Sequence, residues 1–234
     1  MTDMLRLDDV SAGYGEAMVL RGLNLAVPRG SIVALLGKNG MGKTTLLKSA
    51  MGFLPKAEGR VVIDGHDVTR EPAHRIARGA VSYTPQEQAL FADLGIRDNL
   101  RLGLAHDAAL NERMADIVDL FPFLKGRDAQ RAGTLSGGEQ KMLLIARALL
   151  SQPALMLVDE ITEGLQPSVI ERVGIALRRE RERRGTTMLL VEQNVGFALA
   201  VADRYAVLKR GAIVIEGAAG DTGAAEAIRA QLRV

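Results

Sequence analysis

No cysteine occurs among the 234 residues, which removes any disulfide framework and any thiolate metal site. Histidine is nearly absent as well: His66, His74 and His106 lie too far apart in sequence for the ligand spacings that zinc sites use. Aromatic residues make up only 3% of the chain, leaving few stacking platforms for single-stranded nucleic acid, and the net charge of +2 is a weak basic bias. No apolar run approaches the ~18 residues that a bilayer-spanning helix needs. Asp3, Arg6, Asp8 and Asp9 occupy the stretch where a signal peptide would be apolar, so a cytosolic chain is expected. What remains, 47% hydrophobic and 25% charged, suits one globular domain with ample core.

The apolar pattern then gives the organisation. Leu5, Leu7, Leu23, Leu25 and Val27 alternate with polar residues between Gly13, Gly15, Gly22 and Gly30, which reads as short antiparallel strands. "SIVALLG" is a buried strand ending in glycine, and "KTTLLKSAMG" follows with helical spacing and a closing Gly52. Further strands are expected in "RVVID" (60–64), "AVSYTP" (80–85), "ALMLVDE" (154–160), "TMLLVEQ" (187–193), "RYAVLK" (204–209) and "RGAIVIEG", with a terminal helix from about Thr222. The later strands alternate with helical text, so the expected fold is α/β with a mostly parallel sheet, preceded by an antiparallel β subdomain. Residues 87–134 carry helical spacing, as in Met114, Ile117, Val118 and Phe121, and read as an inserted helical subdomain within a single domain spanning 1–234. The arginines of "RRERERR", Arg178 to Arg184, precede Gly185 and read as a solvated helix end whose charge complements the helix dipole.

Three stretches carry chemistry. "GKNGMGKTT", Gly37 to Thr45, matches G-x-x-x-x-G-K-[ST] directly between a buried strand and a helix, the context of a phosphate-binding loop. The nucleotide would contact Gly37, Asn39, Gly40, Gly42, Lys43, Thr44 and Thr45. The ammonium of Lys43 reaches the outer phosphates and the Thr44 hydroxyl is a Mg²⁺ ligand. "LMLVDE" is an apolar strand ending in two carboxylates, and a buried strand ends in charge where something neutralises it. A magnesium nucleotide does so, with Asp159 on the metal side and Glu160 polarising a water for attack on the γ-phosphate. "LSGGEQ", Leu135 to Gln140, places Ser136, Gly137, Gly138 and Glu139 at the start of the amphipathic helix "KMLLIARALLSQP". A capping box between Ser136 and Glu139 is one use of this stretch, and a second anion site at the helix N-terminus is another.

The ordered set GKNGMGKT, LSGGEQ and VDE resembles the nucleotide-binding subunits of ATP-binding cassette (ABC) transporters over essentially the whole chain. That resemblance implies ATP and Mg²⁺ as cofactors and a head-to-tail dimer in which Ser136, Gly137, Gly138 and Glu139 of one subunit complete the ATP site of the other. It also implies that Tyr14, in "SAGYG", stacks on adenine, and that Gln86, in "YTPQ", senses Mg²⁺ and the attacking water. Many cassette ATPases have a histidine where "LLVEQN" has Gln193, a proline where Ile161 stands and an aspartate where Gln166 stands. "VEQN" with "LFPFLKGRDAQRAGTLSGGEQ" resembles the second ATPase subunit of branched-chain amino acid importers, so Gln193 takes the histidine's place by the same resemblance. "TEGLQPSVI" resembles the related urea and short-amide importers.

The expected partners are a second copy or a sister ATPase, membrane permease subunits and, indirectly, a periplasmic solute-binding protein, with the chain held at the inner membrane face by the permease. A cassette ATPase acting on nucleic acid or ribosomes is the alternative from another class, and the absence of heptads or a second cassette speaks against it. A module that binds ATP without turnover is a further alternative, against which Glu160 stands. Nothing in the sequence names the solute.

Overall fold

The computed structural model describes residues 2–54, 56–86, 90–104 and 106–233. The chain opens with two long strands, β1 (Asp3–Tyr14) and β2 (Ala17–Pro28), paired as an antiparallel hairpin in which Leu5 faces Val27 and Leu7 faces Leu25. Their alternating residues turn inward, as the period of two requires. Strands β4 (Lys56–Ile63) and β5 (His66–Asp67) extend this sheet in the order β2-β1-β4-β5.

A second sheet runs β10-β9-β3-β8-β7-β6. Its members are β3 (Ile32–Leu36), β6 (Val81–Thr84), β7 (Leu155–Asp159), β8 (Thr187–Glu192), β9 (Arg204–Lys209) and β10 (Ala212–Ala218). All its pairings are parallel except β9 with β10, which is antiparallel. Every residue of β3, β7 and β8 is buried, which accounts for their unbroken apolar text.

The parallel sheet is the middle layer. Val33, Leu35, Leu157, Leu189 and Val191 point to one face, where they pack on α1 (Lys43–Ala50) and the inner side of the antiparallel sheet. Met156, Val158, Met188 and Leu190 point to the other and meet α5 (Gly137–Leu150) and α6 (Pro167–Arg184). Helices α7 (Val195–Val201) and α8 (Ala224–Leu232) cover the β9 side, and α2 (Ala73–Arg78) leads into β6.

Among the described residues of 90–134 there are α3 (Ile96–Arg101), α4 (Ala108–Leu120), two single 3₁₀ turns and one isolated bridge between Gly95 and Arg131, but no named strand. The expected start of the inserted segment at Glu87 lies outside the described residues. Ile117, Phe121 and Leu124 of this segment share a core with Leu143 and Ile145 of α5, so it is packed against the helix that follows LSGGEQ. The arginine run is more than a solvated face. Arg183 and Arg184 reach Asp116 at 3.2 and 3.0 Å, Arg179 reaches Asp119 at 3.6 Å and Arg181 reaches Asp203 at 2.6 Å, tying α6 to α4 and to the start of β9.

Candidate active site

The site forms where the C-terminal ends of β3, β7 and β8 come level. Leu36 is in register with Glu192, and Asp159 with Val191, so the loops after these strands emerge side by side. The loop after β3 needs its glycines. A side chain on Gly37 would strike the Leu208 carbonyl at 2.8 Å, and Gly42 has φ 104 with Leu20 and Val19 side chains at 3.0 and 3.1 Å from where a Cβ would stand. Helix α1 then begins with no side-chain cap and no acid in its first turn. Its first N–H groups have no intrahelical acceptor, and the positive end of its dipole is not offset by a carboxylate cap.

Lys43 is buried and turns back over the loop, donating to the carbonyls of Gly37 at 2.7 Å and Lys38 at 3.0 Å and pairing with Glu160 Oε1 at 2.9 Å. Glu160 sits just past β7 with φ 45, a left-handed conformation that a non-glycine residue adopts under external constraint. Its N–H donates to the Val191 carbonyl at 2.9 Å. Its second oxygen, Oε2, accepts from the amides of Gln193 at 2.7 Å and Gln86 at 3.3 Å. Gln193 also donates to Asn39 Oδ1 at 2.6 Å, and Gln86 to Glu163. Three of the expected site residues, Lys43, Gln86 and Gln193, from three separate stretches of chain, therefore converge on the Glu160 carboxylate, and Asn39 joins through Gln193.

Asp159 is 1% exposed, and neither carboxylate oxygen has a hydrogen-bond partner. Burial drives its pKa upward, opposed by the neighbouring Thr44 hydroxyl and, more weakly, by Lys43. Burial and the Asp159 carboxylate together raise the Tyr83 phenol. An orphaned buried carboxylate beside a threonine hydroxyl is the donor set a hard divalent cation takes when phosphate oxygens supply the rest. Among the described residues no cluster of three or more acidic or histidine side chains could hold a metal unaided.

The LSGGEQ stretch is elsewhere on the surface, at the start of α5. Ser136 forms the capping box in full: its hydroxyl accepts from the Glu139 N–H at 3.3 Å, and Glu139 Oε2 accepts from the Ser136 N–H at 2.9 Å. Glu139 also pairs with Arg127 at 2.5 Å, and that cation followed by the Ser136 contact holds its carboxyl below the usual range. Glu139 is thus engaged within its own chain. The glycines differ. A side chain at Gly138 would press on Val169 at 3.2 Å, whereas one at Gly137 would meet nothing within 4 Å. Gly137 lies in the first turn of the helix, so nothing inside this chain demands glycine there. Lys141 of the same helix donates to the Gln86 carbonyl at 2.8 Å, joining α5 to the segment that carries Gln86.

Tyr14 ends β1 with its ring half exposed, and Thr45 is buried within α1. Ile161, where proline is usual in the resemblance, is fully buried in the core under α5 and α6, and Gln166 is exposed at the start of α6. Thr162, Glu163 and Glu192 also stand at the site without belonging to the phosphate-binding, VDE or LSGGEQ motifs. Glu192 is a carboxylate at the end of an apolar strand, the same signal that marked Asp159 and Glu160.

Residues 20–163 match the ABC transporter family. The chain is 41% identical over 224 residues to the high-affinity branched-chain amino acid transport ATP-binding protein BraG of Pseudomonas aeruginosa, covering 95% of this chain and 94% of that protein. It is 34% identical to a probable branched-chain amino acid transport ATP-binding protein, LivF, of Archaeoglobus fulgidus, over 93% of each chain. Among solved structures, the ADP conformation of an ATP-binding cassette of an ABC transporter superposes with a TM-score of 0.85 at 25% identity, covering 99% of this chain and 95% of that one. A dimeric cassette in a post-hydrolysis state bound to ADP and Pi gives a TM-score of 0.81 at 25% identity, over 94% of this chain and 100% of that one.

Proposed function

This chain belongs to the ABC transporter family as an ATP-binding, ATP-hydrolysing subunit, and on that premise we propose that it powers import of branched-chain amino acids through a separate permease at the inner membrane face. Two such subunits, alike or sister, close head to tail over ATP. The observation that carries the reaction is the convergence of Lys43, Gln86 and Gln193 on Glu160. The solute reading is supported by the likeness to BraG and LivF, and a urea or short-amide solute is the alternative within the same family.

In the order of events we infer, phosphate competes for the Lys43 ammonium, which lets go of Glu160 Oε1. The freed carboxylate oxygen then accepts a hydrogen bond from water and takes its proton as the water oxygen bonds to the γ-phosphorus. The bond between the γ-phosphorus and the bridging oxygen breaks, and that oxygen leaves with ADP. Gln193 and Gln86 hold Oε2, so the carboxylate keeps its aim while Oε1 does the work. Thr44, Asp159 and Gln86 would hold Mg²⁺, which neutralises charge on the phosphates. Tyr14, half exposed at the end of β1, would supply a face for adenine.

Closure by a second subunit is supported by Gly137, which has open space around it and an N–H without an intrahelical acceptor, features that serve a ligand arriving from outside the chain. For the permease, a groove of about 930 Å³ lies beside β6 and α5, lined by Arg78, Tyr83, Phe91, Leu102, Arg113 and Arg147. Phe91 and Leu102 are 58% and 55% exposed, apolar surface that a docking helix would cover. Among the described residues no helix is long and apolar enough to cross a membrane, so attachment through such a groove fits. The test is reconstitution in proteoliposomes with its permease and sister subunit: ATP-driven leucine uptake supports the reading, and ATP hydrolysis without any leucine, isoleucine or valine uptake contradicts the solute assignment.

A further inference from the structure

We propose that Glu192 is a positioning residue for hydrolysis, acting through Thr162 to lock the segment after Asp159 so that Glu160 and Gln193 meet the attacking water in register. The inference rests on the ATPase reading of the site and adds to it a residue that does not touch nucleotide.

Glu192 is the last residue of β8 and is 2% exposed. Its Oε2 accepts the Thr162 hydroxyl at 2.6 Å and its Oε1 accepts the Thr162 backbone N–H at 3.2 Å. Among the described residues no cation pairs with it. Burying a carboxyl costs free energy, and here burial pushes its pKa up to about 7 against the opposing hydrogen bonds from Thr162. The contact partners stand in a closed circuit. Thr162 is two residues past Glu160, Gln193 directly follows Glu192, and the circuit is completed where the Gln193 amide donates to Glu160 Oε2 at 2.7 Å. Ile161, between Glu160 and Thr162, is anchored in the core, and the Glu160 N–H is held by the Val191 carbonyl at 2.9 Å. Backbone at φ 45 does not keep a glutamate in place by itself. The Glu192–Thr162 contact supplies the constraint on the far side of that residue, and Glu160 and Gln193 are fixed relative to each other from both ends.

Among the described residues neither the Glu192 nor the Thr162 side chain makes a hydrogen bond or ion pair to Lys43 or the phosphate-binding loop, so loosening the circuit should slow the chemical step without weakening nucleotide binding. The experiment is steady-state hydrolysis by the purified subunit, with its sister subunit present, for wild type, Glu192→Leu, Glu192→Gln, Thr162→Val and the Glu192→Leu/Thr162→Val double variant. A glutamine at 192 can accept from the Thr162 N–H and donate to its hydroxyl, so it keeps the circuit. Glu192→Leu and Thr162→Val are expected to lower kcat about tenfold or more with KM for ATP within about twofold, Glu192→Gln to stay within about threefold of wild type, and the double variant to be no worse than Glu192→Leu. Where Glu192→Leu fails to fold, Thr162→Val decides by the same criterion. Wild-type kcat in a folded Leu or Val variant, a KM that rises as kcat falls, or a Glu192→Gln protein as slow as Glu192→Leu overturns the proposal. A wild-type protein without turnover overturns the ATPase reading itself and the inference with it.

Discussion

Replacing Glu192 by glutamine should change how stability depends on pH, and burial of the carboxyl sets the sign. Burial in the folded state raises this carboxyl from 4.5 to about 7, whereas in the unfolded chain it titrates at its ordinary value. Below the unfolded value both states are protonated and the folded state suffers no penalty. As pH rises from there, the unfolded chain loses the proton first, so stability falls until the folded carboxyl has also ionised, and it is flat above that. A carboxyl held at about 7 instead of 4.5 implies a loss of about 3 kcal/mol across the window. Asp159 and Glu180 are raised by burial too and tilt the curve the same way, but both remain in the variant and cancel in the difference. The comparison is therefore nucleotide-free unfolding of wild type and Glu192→Gln, by urea or heat, from pH 4.5 to 8.5. The stability gap in favour of the variant should widen by about 3 kcal/mol with rising pH, a relative Tm gain on the order of 6–12 °C for a chain of this size. A gap that is constant or narrows with pH would mean that Glu192 ionises normally inside the fold, refuting the burial argument.

Lys43→Ala should abolish productive ATP binding and also cost about 3 kcal/mol of nucleotide-free stability, because Glu160 is left buried without its cation; isothermal titration and urea unfolding check the two effects. Gln193→Ala should lower kcat about 100-fold while ATP affinity holds, since an amide aimed at Glu160 matters most as charge develops; equal rates in wild type and variant would remove the residue from the mechanism. Introducing a negative side chain in the groove through Leu102→Glu should leave hydrolysis by the isolated subunits unchanged and reduce co-purification with the permease, and unaltered co-purification would place the docking surface elsewhere.

The parts of this fold that show plainly in the sequence are those set by burial. Strands β3, β7 and β8 are apolar throughout because both faces of the middle sheet are covered, and β9 begins and ends at the residues its apolar run marks. Strand β4 starts four residues before the expected 60–64 and ends at Ile63, since Glu58 belongs to it through ladder pairing with Ser11 rather than through hydrophobicity. The phosphate-binding loop is legible because Gly37 and Gly42 answer local steric demands and Gly40 takes a positive φ. Gln86 and Gln193 are not legible that way. They stand 74 and 33 residues from Glu160, and a neutral amide gains meaning only from the carboxylate that the fold brings to it. Family resemblance pointed to both. Glu192 carried a readable signal, an acid closing an apolar strand, but lacked a motif to draw attention to it. The arginines of α6 look alike as text, and only the position of α4 shows that Asp119 is the partner of Arg179 and Asp116 that of Arg183 and Arg184.

The central claim is that the N-terminus of α5 in one subunit closes over ATP held by Lys43 in another and that water activated by Glu160 reopens the pair. Size-exclusion chromatography of Glu160→Gln with MgATP and the sister subunit tests it, because the amide keeps the shape of the carboxylate but cannot take the proton, so closed pairs should accumulate. Adding Gly137→Asp is the paired control: its side chain enters open space in the single subunit, so it leaves the fold intact and sets negative charge only against the partner's γ-phosphate. The account predicts ATP-dependent dimers for Glu160→Gln and monomers for the double variant. A Glu160→Gln protein that stays monomeric, or a double variant that pairs equally well, would contradict it and leave LSGGEQ with the capping of α5 as its role.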